Sequence, residues 1–127
     1  LRVKLKHLDE LTAERRKDAL RYLIEIKNPK IKLPEMQFGE LGHVFHLFVV
    51  YIEDRDNFMK YCNQKGIELK IHYPQPPHLS TAYEYLGYHV NDFPITEKMA
   101  DHIVSLPLYN GMETEKLEYV INVFNQY

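Results

Sequence analysis

The chain has 127 residues, of which 45% are hydrophobic, which is enough for one domain with a modest core. Its 16 basic and 18 acidic side chains nearly cancel, so it lacks the basic footprint of a surface that binds nucleic acid. The single cysteine, Cys62, excludes an intrachain disulfide and favours a cytoplasmic protein. No apolar run reaches the roughly 18 residues of a membrane span, and the first residues are not a signal peptide. Because the sequence starts without Met inside a helical pattern, we expect the natural polypeptide to begin upstream.

Residues 1–27 predict an amphipathic helix, because apolar side chains recur at helical spacing and charged ones fill the opposite face. Asn28 and Pro29 end this helix. A connector follows over residues 28–42, where four residues break any regular pattern: Pro29, Pro34, Gly39 and Gly42.

Residues 43–52 predict the best strand of the chain. They are apolar on both faces, so we expect a central strand that is covered twice. A helix should follow, with Phe58 and Cys62 on its inner face and Gly66 as the residue that ends it. A reactive Cys62 paired with a histidine is an alternative, but its place on the inner face favours burial in the core.

Residues 67–73 predict a second strand, because apolar and polar side chains alternate. The proline-rich run 74–77 stops it, since proline cannot continue the hydrogen-bonded ladder. A short helix over residues 80–86, closed by Gly87, should follow.

The last part of the chain predicts a helix over residues 92–104, a strand over 106–109 and a final helix over 113–125. The buried side of the first of these helices is expected to consist of Met99, Ala100, Ile103 and Val104. The element order predicts an α+β fold, in which a small, mostly antiparallel three-stranded sheet is packed by helices.

His72 and Tyr73 are the candidate binding residues. They stand at the end of the second predicted strand, and the prolines that follow would hold them in place. His72 lies on the polar side of that strand and is therefore available to a ligand. On the pattern alone, the favoured interpretation is a histidine at a strand end that contacts only water.

A zinc site has little support. His43 and His46 are three residues apart and His72 and His78 are six apart, and neither spacing is typical of a ligand pair. Cys62 has no second cysteine beside it. The sequence also has no glycine-rich phosphate loop.

Several segments of the sequence carry a resemblance to one known family. The central segment is residues 66–74, Gly-Ile-Glu-Leu-Lys-Ile-His-Tyr-Pro. The other segments, in chain order, are residues 4–9, 43–50, 76, 78–79, 82–83, 86–88, 92–94, 105–108 and 119–120. Together this ordered set resembles the C-terminal domain of the DegT/DnrJ/EryC1/StrS aminotransferases, and the resemblance covers nearly the whole chain.

The resemblance implies the small domain of a homodimeric fold-type I enzyme that uses pyridoxal phosphate. Residues 1–27 would then be the helix that links to a large domain outside this chain, and residues 28–127 the C-terminal small domain. None of the eleven lysines stands in the family's Schiff-base context, so this fragment by itself should be inactive.

The same resemblance implies transfer of an amino group from glutamate to a nucleotide-linked keto-sugar, for deoxyamino-sugar and lipopolysaccharide biosynthesis. The His-Tyr-Pro run resembles the subgroup that acts on a dTDP-3-keto-6-deoxyhexose. Carried over to this sequence, the residues that reach the substrate are His72 and Tyr73, followed by His78.

Two other interpretations stay open. The chain could be a stand-alone module that binds a small molecule or a protein, or an interaction domain whose many tyrosines form an interface. An exposed aromatic patch would mark a contact surface in each case.

Overall fold

A computed structural model describes residues 1–36 and 42–127, so Gly39 of the predicted connector lies outside the described residues. The helices are α1 (Arg2–Leu5), α2 (Leu8–Glu25), α3 (Arg55–Gln64), α4 (Pro94–His102) and α5 (Thr114–Asn125). Two 3-10 segments, Pro77–Leu79 and Thr81–Leu86, lie between α3 and α4. None of the helices in the described ranges combines the length and apolarity that a membrane span requires.

The sheet has two named strands, β1 (Phe48–Tyr51) and β2 (Ile103–Leu106), which pair antiparallel. Isolated bridges extend it on both sides, because Lys32 pairs with Tyr51 and Lys70 pairs with Ser105. The predicted α+β fold class is therefore confirmed. The second predicted strand, residues 67–73, joins the described sheet through the single bridge at Lys70.

Only part of the predicted strand 67–73 can pair. The Ile67 amide donates to the Cys62 carbonyl at the end of α3, 2.9 Å away. Tyr73 has a positive φ of 60°, which turns the chain out of the extended conformation. The predicted alternation holds near the bridge, where Ile67 and Leu69 are buried and Lys70 is exposed.

The predicted strand over residues 43–52 is shorter than expected, because β1 begins at Phe48. Phe45 has a φ of 46°, in the left-handed region that interrupts a strand. One face of β1 is buried and the other is half-buried, so the expected double coverage is incomplete.

The boundary between α4 and β2 differs from the prediction. Ile103 and Val104 belong to β2 and not to the helix, and Met99 is 43% exposed. β-branched side chains favour the extended backbone that Ile103 adopts. Pro107 then ends the strand, because proline has no amide hydrogen to donate.

The core lies between α2, α3, α5 and one face of the sheet. Its fully buried large side chains include Tyr22, Phe48, Phe58 and Phe124. Cys62 is buried as predicted, and burial raises the pKa of its thiol to about 12. An unreactive core thiol is the result.

The N-terminal helical prediction is divided at Lys6 and His7, between α1 and α2. Ala19 and Tyr22 of α2 are buried, and the Tyr22 hydroxyl donates to the Pro107 carbonyl at 2.7 Å. The apolar residues nearer the N-terminus are exposed, namely Leu1, Val3, Leu5, Leu8 and Leu11. The second half of α2 is therefore an integral part of this fold.

Candidate functional site

His72 leaves the sheet two residues after the Lys70 bridge. Side chains two residues apart along a strand point to the same side, so the His72 ring lies over Ser105, the bridge partner of Lys70. His72 Nδ1 and Ser105 Oγ are 2.8 Å apart. The predicted binding histidine is thus half-buried and held to β2 by one of its two ring nitrogens.

Tyr73 projects outward from the same strand end. Its side chain is 81% exposed, and its φ of 60° is unusual for a residue with a side chain. A non-glycine residue in this region costs about 1–3 kcal/mol and is often found at functional sites. The Tyr73 phenol is therefore accessible to a ligand or another domain at this edge of the chain.

His78 occupies a different environment. Its side chain is only 7% exposed, and its Nε2 lies 3.0 Å from Glu97 Oε1 in α4. The imidazole packs against Phe93, with ring centroids 4.8 Å apart. His78 therefore connects the proline-rich segment to α4.

Glu97 is the centre of this connection. Besides facing His78, its carboxylate accepts hydrogen bonds from the amides of Asn91 at 2.9 Å and Phe93 at 3.3 Å. An acidic side chain in the first turns of a helix also interacts favourably with the helix dipole. The pKa of Glu97 lies below its ordinary value. The largest cause is the hydrogen bond from the Asn91 amide, and His78 and the Phe93 amide contribute less. We call these contacts the Glu97 clasp.

The Glu97 clasp fastens an exposed aromatic loop, residues 81–93. Every residue of this loop is exposed. Its large apolar side chains are Tyr83, Tyr85, Leu86, Tyr88, Val90 and Phe93. So many exposed apolar side chains in one segment are typical of a site of contact with another molecule or domain.

The substitution Glu97→Gln should loosen the aromatic loop. The amide side chain would keep the shape but lose the charge that strengthens the hydrogen bonds from Asn91, Phe93 and His78. We expect amide hydrogen exchange over residues 81–93 to rise several-fold while exchange in α5 stays unchanged.

Acidification should also loosen the aromatic loop, because it protonates Glu97. A depressed folded-state pKa gives stability that is present above the unfolded-state pKa and is lost as the pH falls through the folded-state value. The protection of the loop amides, measured relative to their intrinsic exchange at each pH, should therefore fall below the ordinary titration range of glutamate. For the Glu97→Gln variant, the matched control is Glu84→Gln, since Glu84 is exposed in the same loop. Equal exchange in both variants would contradict the clasp.

The three predicted site residues thus belong to one segment but have different partners. Hydrogen bonds hold His72 to β2 and His78 to α4, while Tyr73 is free of such contacts in the described part of the chain. Two residues that hold them were not predicted, Ser105 and Glu97. A polar residue between the apolar Val104 and Leu106, and a glutamate in the first turns of a helix, were the available signals.

A metal centre has no support in the described ranges, which contain no group of three His, Cys, Asp or Glu side chains that could hold an ion. An open groove of about 510 Å³ runs between α5 and the segment at Ile67. Its lining includes Met112, Tyr119 and Val120 but none of the three predicted site residues. The predicted site is therefore an edge of the chain and not part of this groove.

The family model for DegT/DnrJ/EryC1/StrS aminotransferases matches residues 1–125. The chain belongs to this family. Its fold agrees with that of the S. venezuelae DesV structure in complex with a ketimine intermediate, with a TM-score of 0.91 and 32% identity. That match covers 98% of this chain and 34% of the DesV chain.

Two curated relatives agree with this assignment. The dTDP-3-amino-3,6-dideoxy-alpha-D-galactopyranose transaminase of Aneurinibacillus thermoaerophilus is 40% identical over 127 residues, which is all of this chain and 34% of the relative. The erythromycin biosynthesis sensory transduction protein EryC1 of Saccharopolyspora erythraea is 40% identical over 122 residues, covering 95% of this chain and 33% of the relative. The chain thus spans about a third of the length of the curated relatives it matches.

Enzymes of the DegT/DnrJ/EryC1/StrS family depend on pyridoxal phosphate. A lysine that forms a Schiff base needs a desolvated site that favours its neutral amine. All eleven lysines of this chain lie in the described ranges, and all are exposed. Lys116 is an example, since its hydrogen bond to Glu113 raises the pKa of its ammonium. None of the eleven lysines therefore has the desolvated environment that a Schiff base with the cofactor requires.

Proposed function

We propose that this chain is the C-terminal small domain of a pyridoxal phosphate-dependent aminotransferase. The full-length enzyme transfers an amino group from glutamate to a nucleotide-linked keto-sugar, and the substrate is a dTDP-3-keto-6-deoxyhexose. The cofactor lysine belongs to the part of the polypeptide outside these 127 residues. Residues 1–27 link the two parts, with the second half of α2 packed into the core of the small domain that residues 28–127 form.

One observation carries the proposal. The chain is 40% identical, over its whole length, to a relative whose name specifies a dTDP-sugar with an amino group at C3. The His72-Tyr73-Pro74 run, which carries the resemblance to the subgroup acting at C3, lies where the chain leaves the sheet. The exposed phenol of Tyr73 agrees with a role in contacting a ligand at this edge.

The cofactor supplies the chemistry of amino transfer when it is bound. In this proposal the residues of this chain bind and orient the sugar. His72 and Tyr73 hydrogen-bond to sugar oxygens, which holds the keto carbon in position for the reaction. His78, with 7% of its side chain exposed, supports this edge through Glu97 more than through a direct contact.

The aromatic loop favours assembly with the rest of the enzyme. Exposed tyrosines beside the predicted site would be covered by the large domain and by the second subunit of a homodimer. This arrangement with the large domain and the second subunit explains why the loop is exposed in the chain described here.

We expect a cytoplasmic enzyme, because a single cysteine favours a reducing compartment. Its nucleotide-sugar product would enter deoxyamino-sugar and lipopolysaccharide biosynthesis.

Amination of a panel of keto-sugar nucleotides by the full-length protein tests the proposal. We expect glutamate-dependent amination of the dTDP-linked 3-keto sugar, while the 127-residue chain alone has no activity and no cofactor absorbance. In the full-length protein, His72→Ala and Tyr73→Phe should each reduce sugar turnover about tenfold, because each removes a hydrogen bond to the substrate. The cofactor absorbance should be unchanged.

Tyr119→Phe is the control for Tyr73→Phe. Tyr119 is also an exposed tyrosine, but it lies on α5 and donates to the Lys65 carbonyl, 2.9 Å away. Turnover that is unaffected in both His72→Ala and Tyr73→Phe would refute their assignment. Absence of amination with every keto-sugar would refute the proposed reaction.

A further inference from the structure

Ser105 differs from the rest of the core because it is a buried polar residue. It is 5% exposed and lies in β2 between the apolar residues Val104 and Leu106. Its backbone groups are satisfied by Lys70, with hydrogen bonds of 2.8 and 3.2 Å. Its hydroxyl takes no part in the hydrogen bonds of the strand, and Oγ lies 2.8 Å from His72 Nδ1.

The hydrogen-bonding capacities of these two groups determine the tautomer of His72. A neutral imidazole has one donor and one acceptor nitrogen, and a serine hydroxyl has one hydrogen to donate. In the described residues, Ser105 Oγ has His72 Nδ1 as its hydrogen-bond partner. If Nδ1 carried the hydrogen, the buried hydroxyl hydrogen would be left without an acceptor, which is costly. In a neutral ring, the hydroxyl therefore donates to Nδ1, and the ring hydrogen is on Nε2.

We propose that Ser105 is a positioning residue that holds His72 as a hydrogen-bond donor toward the sugar. With Nδ1 engaged by Ser105, the ring is fixed in orientation and Nε2–H points away from β2. The Nε2–H group can donate a hydrogen bond to a hydroxyl or keto oxygen of the substrate. It cannot accept a proton from the substrate as a general base would. The role toward the sugar rests on the function proposed above, whereas the Ser105–His72 pair does not.

The first experiment measures the tautomer of His72 directly. Histidine ring nitrogens are observed by 15N NMR in the full-length protein, and the His72 signals are assigned with a His72→Gln variant. We expect Nδ1 as the acceptor and Nε2–H as the donor in the wild type, and a mixture of tautomers in Ser105→Ala. An Nδ1–H tautomer in the wild type, or identical spectra in both proteins, would overturn the inference.

The second experiment separates positioning from a structural role. In the full-length enzyme, Ser105→Ala should raise the KM for the keto-sugar about fivefold, the effect of one neutral hydrogen bond. The half-reaction with glutamate alone should keep its rate. Ser105→Thr, which keeps the hydroxyl and suits a strand, should restore the KM and the wild-type tautomer. Thr96→Ala, which removes an exposed hydroxyl from α4, is the control.

These outcomes distinguish the two proposals. If the full-length enzyme does not aminate keto-sugars but His72 shows the expected tautomer, the proposed function fails and the Ser105–His72 pair stands. If amination occurs and Ser105→Ala leaves the KM unchanged, the positioning role of Ser105 is wrong. A parallel loss in both half-reactions would assign Ser105 a structural role only, and this would also overturn the inference.

Discussion

Replacing Phe58 with alanine should lower the free energy of unfolding by about 3–5 kcal/mol, the range for removal of a buried aromatic ring. Phe58 in α3 is fully buried, and its ring lies 5.3 Å from that of Phe124 and 4.9 Å from that of Tyr127. Removal of the Phe58 ring would leave a cavity between α3 and the end of α5. Neither helix can fill this cavity unless it moves. Because an ordinary domain has only about 5–15 kcal/mol in total, a large part of the stability would be lost.

Urea unfolding followed by circular dichroism measures this change. Phe58→Leu should cost less, because it keeps most of the buried apolar volume. Tyr85→Ala removes a ring of comparable size from a side chain that is 80% exposed, and it should change stability by less than about 0.5 kcal/mol. Similar losses for Phe58→Ala and Tyr85→Ala would contradict the core described above.

Arg15→Ala should have the second-largest effect, about 2–3 kcal/mol. The Arg15 guanidinium donates to the carbonyls of Phe45, His46 and Leu108 at 3.2–3.3 Å, and to Asn110 Oδ1 at 3.0 Å. One side chain of α2 thus joins the segment before β1 to the segment after β2. Each hydrogen bond from a charged group is worth about 1.5–3 kcal/mol, but water would replace part of this at a half-buried site.

Two variants test the explanation for Arg15. Arg15→Lys keeps the charge but loses the planar fork that reaches both segments, so it should recover less than half of the loss. Lys17→Ala removes an exposed cation from the same helix and should change the free energy of unfolding by less than about 0.5 kcal/mol. Full recovery with lysine would show that charge alone accounts for the effect.

Helices whose apolar side chains lie on a single face could be predicted from the periodicity of the sequence. α5 begins and ends within a residue of the prediction, and Leu117, Val120, Ile121 and Phe124 are buried as expected. The glycines that end helices were also predictable, because Gly66 and Gly87 both have the positive φ that other residues avoid. In these places the local pattern and the tertiary structure agree.

The prediction failed where a short apolar run fits two periods. Ile103 and Val104 continue the apolar side of α4 on paper, yet they pair with Tyr51 and Val50 of β1. Four residues are too few to distinguish a helical from a strand period. Pairing with a strand some fifty positions earlier in the chain decided between them, and no local signal contains that partner.

The candidate site shows the same division. The sequence by itself determined that His72 and Tyr73 follow an apolar, alternating segment and precede prolines, because side-chain pattern and proline geometry are local properties. Only the tertiary structure decided that His72 meets Ser105 and that His78 meets Glu97. Each of these contacts joins residues far apart in the chain, so it depends on how the sheet and helices pack, and packing is a property of the whole fold.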